Sequence, residues 1–499
     1  MSVEREAKLV APAEFELPKL DGLVNGIVAA PAVRRQLDAT YYDSADLLLA
    51  RSGVTLRHRT GEAGPAWTLK LLSGQVTSAP VRRELVFEGP AGTVPPQARD
   101  LLRGYLRSRP LQEVTRLCTD RTAVKLCDQA ATPVAEVVDD VVTVYQGHRR
   151  TGEFREVEVE LLGNDQEHSD LLHAAVDTLV AAGCRAKSPV PKLVRALGAA
   201  ATAPSDLEPP ALGRKPTVVR LIQHTLAKSV ARMVHHDAGV RLGDDPEEVH
   251  QFRVATRRLR SDLQTFASVL NADWGSGLRA ELRWLGGEVG GVRDNDVLTE
   301  RLRCQMTSLP EEDAEAAAGL LQLLTGRGQQ VRASMLDALR TPRYDALLDA
   351  LLTAAKHPVF ADDTGQSAEV FGAEVVRRQW KRLQRGVRAL SDPPSDAELH
   401  RIRILAKRCR YAAEMTIPVI GRRAGRFAAA IADLQTVLGD HHDAAVAEQW
   451  LREAAVAVPA SAVAAGELIA IQRAERARFR RAWRAVWRSA SDSKLRDWF

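Results

Sequence analysis

The segment Val249-His250-Gln251-Phe252-Arg253-Val254-Ala255-Thr256-Arg257-Arg258-Leu259-Arg260 comes back 150 residues later as Leu399-His400-Arg401-Ile402-Arg403-Ile404-Leu405-Ala406-Lys407-Arg408-Cys409-Arg410. In each copy an apolar residue precedes a histidine, and cations follow that histidine at three, seven, eight and ten positions. On a helix advancing about 100° per residue, positions 0, 3, 7 and 10 fall within roughly 80° of arc. His250, Arg253, Arg257 and Arg260 thus share one helical face, and His400, Arg403, Lys407 and Arg410 share another. Three permanent cations beside a histidine are costly to bury unpaired and suit a ligand of high negative charge. A solvated helix face also carries cations, but it has no reason to repeat its spacing.

A second pair of segments follows. Gly290-Gly291-Val292-Arg293-Asp294 lies ahead of Val297 and Gly439-Asp440-His441-His442-Asp443 ahead of Val446, each about 40 residues after its histidine. The C-terminal half reads as an internal duplication of a helical unit. These residues resemble the CHAD family, the conserved-histidine α-helical domain, over roughly residues 215 to 499. The resemblance implies two helical bundles related by a pseudo-twofold axis, and a basic groove that binds inorganic polyphosphate through the eight stripe residues. Metal binding by the histidines is not favoured, because no two of a stripe recur at i and i+4 with a carboxylate partner. The adjacent pairs His235-His236 and His441-His442 point to different helix faces.

A chain of 499 residues is long for one core and predicts two or three domains. Its five cysteines, Cys118, Cys127, Cys184, Cys304 and Cys409, include no C-x-x-C pair, which predicts free thiols. The charged first six residues do not read as a signal peptide. The longest apolar stretch, residues 454–465, is interrupted by Pro459 and is too short for a bilayer span. The expectation is a cytoplasmic protein with no membrane segment.

The texture changes once. Period-two alternation over residues 3–9, 55–59, 67–71, 81–87, 134–144 and 154–161 predicts strands, and helices follow at 169–182 and 192–197. Residues 199–216 are rich in Ala and Pro and read as a linker, beyond which the period is helical. The predicted class is α+β multidomain: a domain over 1–198, a linker over 199–216, and a helical domain over 217–499 whose copies divide near Pro393 into 217–392 and 393–499.

Within the predicted strands, charge is one-sided. Glu4, Glu6 and Lys8 alternate with Arg5 and Ala7; Arg57 and Arg59 share parity; so do Arg82 and Glu84, Glu136 and Asp140, and Glu156, Glu158 and Glu160. Several strands with ionic residues at i and i+2 imply a closed antiparallel barrel or tunnel with a charged lumen.

Taken with Tyr41-Tyr42-Asp43, Leu56-Arg57-His58-Arg59, Thr68-Leu69-Lys70, Arg83-Glu84 and Lys192-Leu193-Val194-Arg195-Ala196-Leu197, the pattern Glu4-Arg5-Glu6-Ala7-Lys8 resembles the CYTH family, the triphosphate tunnel metalloenzymes, over residues 1 to about 197. The resemblance implies an eight-stranded antiparallel tunnel that hydrolyses a triphosphate with Mg²⁺ or Mn²⁺. Carried over, Glu4, Glu6, Glu156, Glu158 and Glu160 are the expected metal ligands. Lys8, Arg57, Arg59, Lys70, Arg83, Arg121 and Lys192 are the expected phosphate clamp, with Arg82 as the alternative to Arg83, since only one of two adjacent residues enters the lumen. Glu136 or Asp140 is expected to orient the attacking water.

The joined halves suggest inorganic triphosphate and polyphosphate as partners, and an association with polyphosphate granules. The readings set against a triphosphatase are a non-catalytic polyphosphate-binding or scaffolding protein and use of the tunnel as an adenylate cyclase or thiamine triphosphatase. Nucleic acid is the less expected partner. A basic stripe of Arg473, Arg476, Arg480, Arg484 and Arg488 interleaved with Phe479, Trp483 and Trp487 can grip single strands, but such a helix more often packs its tryptophans on a bundle.

Overall fold

The computed structural model describes residues 6–62, 64, 66–76, 79–162, 169–186, 190–362 and 365–499. The chain divides into two compact units, Met1–Asp206 and Leu207–Phe499.

The first unit is built on one antiparallel sheet. Its strands are β1 (Glu6–Ala11), β2 (Val28–Ala29), β3 (Val33–Asp43), β4 (Thr55–Thr60), β5 (Trp67–Val76), β6 (Ala79–Phe87), β7 (Gln112–Cys127), β8 (Pro133–Gln146), β9 (Arg149–Leu161) and β10 (Arg185–Ala186). They run in the order β10-β1-β9-β8-β7-β3-β4-β5-β6, with β2 beside β7. β2 and β10 have two residues each, and the other eight make up the antiparallel sheet from β1 to β6. β3 and β7 were not legible as alternating strands. Each carries polar residues on both faces, as Arg116 and Asp120 against Arg121 and Lys125 in β7 show.

Short helices α1 (Leu48–Arg51), α2 (Pro96–Leu101), α3 (Arg103–Leu106), α4 (Ser169–Ala181) and α5 (Lys192–Leu197) complete the unit. One face of β1, β7, β8 and β9 supplies Leu9, Leu126, Val137, Val157 and Val159, which pack on Leu171, Ala175 and Leu179 of α4. This cluster therefore lies on the face opposite the glutamates of β9. At one end Leu193 of α5 joins Ala39, Tyr41, Leu117, Val142 and Val144 in a second cluster.

The second unit is helical: α6 (Val218–Leu242), α7 (Pro246–Thr265), α8 (Ala272–Met306), α9 (Glu311–Ala316), α10 (Ala318–Leu339), α11 (Pro342–Lys356), α12 (Ala368–Arg388), α13 (Asp396–Ile420), α14 (Arg422–Ala457) and α15 (Ala462–Ala490). The stripes lie on α7 and α13, and the glycine-aspartate segments lie on α8 and α14. Both stripe helices are firmly started. Asp245 caps α7 by accepting from Glu247 N at 2.8 Å, and Ser395 and Glu398 close a capping box on α13.

On α7 the residues one step round from the stripe, Val249, Phe252, Leu259 and Leu263, are buried. Leu399, Ile402, Ala406 and Cys409 do the same on α13. Each stripe thus borders the core without entering it. The duplication begins earlier than the proline pair suggested. α12 precedes its stripe helix as α6 precedes α7, and the residues that open the two, Thr217 and Ser367, pair in an isolated antiparallel bridge. By element order the second copy opens near Ser367, and a division at 393 cuts it between its first two helices.

Candidate functional site

Register places the charged residues of the first unit opposite one another. Glu6 faces Glu160 and Lys8 faces Glu158 across β1 and β9; Glu136 faces Glu160 and Asp140 faces Glu156 across β8 and β9. Next come Lys125 opposite Glu136 and Arg121 opposite Asp140, then Arg35 opposite Arg121. Tyr41 faces Arg57, Ala39 faces Arg59 and Lys70 faces Glu84. One continuous face therefore has an acidic half on β1, β9 and β8 and a mainly basic half on β7, β3, β4 and β5.

The junction of the halves is a buried ion network. Asp140 is fully buried and accepts twice from Arg121, Nε and Nη2 each at 2.8 Å. Lys192, on the first turn of α5, puts its Nζ 2.9 Å from Asp140 Oδ2, 2.8 Å from Glu156 Oε1 and 3.1 Å from Glu158 Oε1. Arg195, one turn on, donates to Glu156 at 2.9 Å and stacks on Phe154 at 4.3 Å. Lys8 Nζ lies 3.2 Å from both Glu6 and Glu158. Burial alone would raise the Glu158 carboxyl pKa, but Lys192 and Lys8 outweigh it and hold it down at about 2. Burial likewise works against the charge of Lys192, yet Glu158, Asp140 and Glu156 hold its pKa above the ordinary value.

Across the face, Lys70 pairs with Glu84 at 2.7 Å and Arg59 with Glu62. Burial, and then the neighbouring Arg57, push the Arg59 guanidinium below its ordinary pKa. Arg57 Nε is buried without a hydrogen-bond partner.

Several expected site residues meet here: Glu6, Lys8, Arg57, Arg59, Lys70, Arg121, Glu136, Asp140, Glu156, Glu158, Glu160 and Lys192. Glu4 lies outside the described residues. Arg83 is a correction. It pairs with Leu71, on the face opposite Lys70, whereas position 82 pairs with Leu72 and shares the parity of Lys70. Asp140 is committed to Arg121 and Lys192, so it positions cations more than it orients water. Glu156 is paired with Lys192 and Arg195, which sets it apart from Glu6 and Glu160 at the far end of the acidic half. Sequence reading gave no role to Arg195, Arg35 or Lys125; the parity of Lys125 with Arg121 was the available signal.

The acidic half offers only oxygen donors, which suits a hard divalent cation. Among the described residues no three acidic, histidine or cysteine side chains converge as a metal cluster. Lys8 and Lys192 stand between the carboxylates instead.

In the second unit the stripes of α7 and α13 form the other candidate site. Arg253 Nη1 reaches Asp294 at 2.6 Å and the Gly290 carbonyl at 3.5 Å. In the other copy Arg403 Nε lies 3.7 Å from where a β-carbon on Gly439 would stand. In both copies the cation three residues after the histidine thus lies beside the glycine about forty residues after it. Tyr411 supports three guanidiniums, Arg257, Arg258 and Arg410, at 5.7, 5.4 and 5.0 Å from its ring centre. Arg410 lies 3.5 Å from Glu414, but Arg257, Arg260, Arg403 and Lys407 have no carboxylate partner among the described residues.

Burial, then Arg257, Arg403, Arg260 and Arg253, push the Lys407 pKa down to about 6. Burial lowers His250 and His400 as well, helped by Arg293 and Arg403. The His400 ring meets that of His442 at 4.3 Å, tilted by 42°, and His442 holds the place of Arg293 in the first copy.

Four of the five arginines of the third basic run are paired internally. Arg473 and Arg476 pair with Glu448 at 2.9 and 3.1 Å, Arg480 pairs with Asp396, and Arg484 pairs with Asp392 at 2.6 Å. Trp483 is buried, and Trp487 stacks on Trp380 at 5.2 Å.

Comparison with known proteins gives the same division. The CYTH domain model matches residues 2–184 and the CHAD domain model residues 224–452. An uncharacterized protein of Mycobacterium tuberculosis is 30% identical over 469 residues, covering 88% of this chain and 86% of its own. Among solved structures, the CHAD domain from the plant Ricinus communis is 29% identical, with a TM-score of 0.48 over 57% of this chain and 96% of its own. PptA from Streptomyces chartreusis is 24% identical, with a TM-score of 0.47 over 55% of this chain and 99% of its own. No helix among the described residues is long and apolar enough to cross a membrane.

Proposed function

Because the chain belongs to the proteins in which a CYTH domain is followed by a CHAD domain, we propose that its first unit is a metal-dependent inorganic triphosphatase and its second binds inorganic polyphosphate. The observation that carries this reading is the polarised inner face, with carboxylates on β1, β8 and β9 and cations on β7, β3, β4 and β5. Inorganic triphosphate carries about four to five negative charges near neutral pH. It needs several cations along its length and negative ligands for a metal at one side.

Glu6, Glu158 and Glu160, with Glu4, would hold Mg²⁺ or Mn²⁺. Such an ion supplies charge neutralisation at phosphoryl oxygens and a bound water of lowered pKa. Arg57, Arg59, Lys70 and Arg121 grip the phosphates from the basic half, and Lys8 and Lys192 meet them at the junction. Asp140 holds Arg121 in a bidentate pair and so fixes its direction. Glu136, on the same face as Glu160, orients the attacking water.

Phosphorus NMR of the full chain with triphosphate, ATP or thiamine triphosphate tests the reading. The expected outcome is orthophosphate and pyrophosphate from triphosphate, with ATP much slower and Arg121→Ala slowed by about 10²-fold or more. Faster release of pyrophosphate from ATP would assign a cyclase instead. Tight binding of triphosphate with no turnover would leave a binding protein.

A further inference from the structure

The repeated stripe is not where the uncompensated positive charge of the second unit ends. Arg279 and Arg283 stand four residues apart on α8 and so lie on one face of that helix. Neither has a carboxylate partner among the described residues, and Arg279 Nε is buried with no hydrogen-bond acceptor. Both lie within electrostatic reach of Arg260, the last cation of the first stripe.

Arg260 passes over Gly286, where a β-carbon would start 3.9 Å from its Nη1. The end of the first stripe thus lies against α8. From the other copy comes Arg408, exposed on α13 and close enough to act on Arg279. Its counterpart in the first copy, Arg258, is instead turned inward onto Asp262 at 3.2 Å and onto Glu414. Burial, then Arg283 and Arg408, lower the Arg279 pKa. Like charges gathered without counter-charge raise the energy of the unliganded protein. A buried guanidinium nitrogen without an acceptor adds a desolvation cost. One polyanion lying across the cluster relieves both.

We infer that Arg279, Arg283 and Arg408, with Arg260, form a lateral extension of the polyphosphate site, engaged by chains too long for the central stripe, and so set a preference for long polyphosphate. This rests on the polyphosphate-binding reading above. A short chain is held within the stripes, by cations such as Arg257, Arg403 and Lys407, whereas a longer one continues over α8.

The test compares the full-length wild type with Arg279→Gln/Arg283→Gln and with Arg279→Lys/Arg283→Lys. Each is titrated with size-fractionated polyphosphate of roughly 10 and roughly 100 phosphates at several salt concentrations. The expected result is that the glutamine variant loses about tenfold in affinity for the long chain and little for the short one. Its salt slope for the long chain should fall by roughly one to two, and the lysine variant should retain most of the preference. Unchanged long-chain affinity, or an equal loss at both lengths, overturns the inference while leaving the polyphosphate reading intact. A wild type that binds neither length removes that reading itself.

Discussion

Lys407 is the one lysine among the stripe residues, and the charged groups that face it are cations: Arg253, Arg257 and Arg260 from α7 and Arg403 from its own helix. The nearby carboxylates are engaged elsewhere, Glu414 by Arg258 and Arg410 and Asp294 by Arg253. Burial, reinforced by those arginines, lowers its pKa to about 6, against roughly 10.4 for an unfolded lysine. The sign follows from linkage: between those values the unfolded chain holds a proton that the free folded protein lacks, so this residue makes stability rise with pH across that window. A bound polyanion reverses the local field and restores the charge. Calorimetry at pH 7.5 in buffers of different ionisation enthalpy should therefore show uptake of up to about one proton when polyphosphate binds, and Lys407→Arg should abolish it. Uptake that persists unchanged in that variant contradicts the assignment.

At the scale of elements, each stripe is held in place by the apolar row beside it. Phe252 is fully buried on α7 between Arg253 and the core, and its loss should cost about 3–5 kcal/mol by cavity formation. Chemical denaturation of Phe252→Ala should show that loss; a change under 1 kcal/mol would mean that α7 does not anchor the stripe as described. The stripes and their apolar rows were legible because a 3.6-residue period exposes them in any window. Strand parity was legible likewise for the glutamates of β9 and the arginines of β4. Parity alone cannot say which neighbour a residue meets, so the choice between Arg82 and Arg83 waited on the pairing of β5 with β6. Polar residues on both faces hid β3 and β7. On α8, Arg279 and Arg283 look in sequence like an ordinary solvated pair, and only packing brings α7 and α13 to them. The start of the second copy was misread for a related reason: Pro393 and Pro394 mark a loop inside the repeat, and α12 has no motif of its own.

For the whole molecule, one chain joins two solutions to binding polyphosphate anions. The first unit carries a face whose junction cations already have partners, such as Lys192 among three carboxylates, so its ligand must bring both positive metal and negative phosphate to replace those pairs. The second presents arginines and a lysine with no counter-charge, which suits a bare polyanion. The family and the two-unit division were legible from short motifs, since the chemistry of each site fixes residue types at set spacings. The central claim is hydrolysis at the polarised face of the first unit. Its most direct test is orthophosphate release from inorganic triphosphate by the full chain with Mg²⁺ or Mn²⁺, after chelation, and with Glu6→Gln. Release should require the added metal, stop on chelation and fall by about 10²-fold or more in the variant. Release that continues at the same rate after chelation, or that Glu6→Gln leaves unchanged, would contradict the claim.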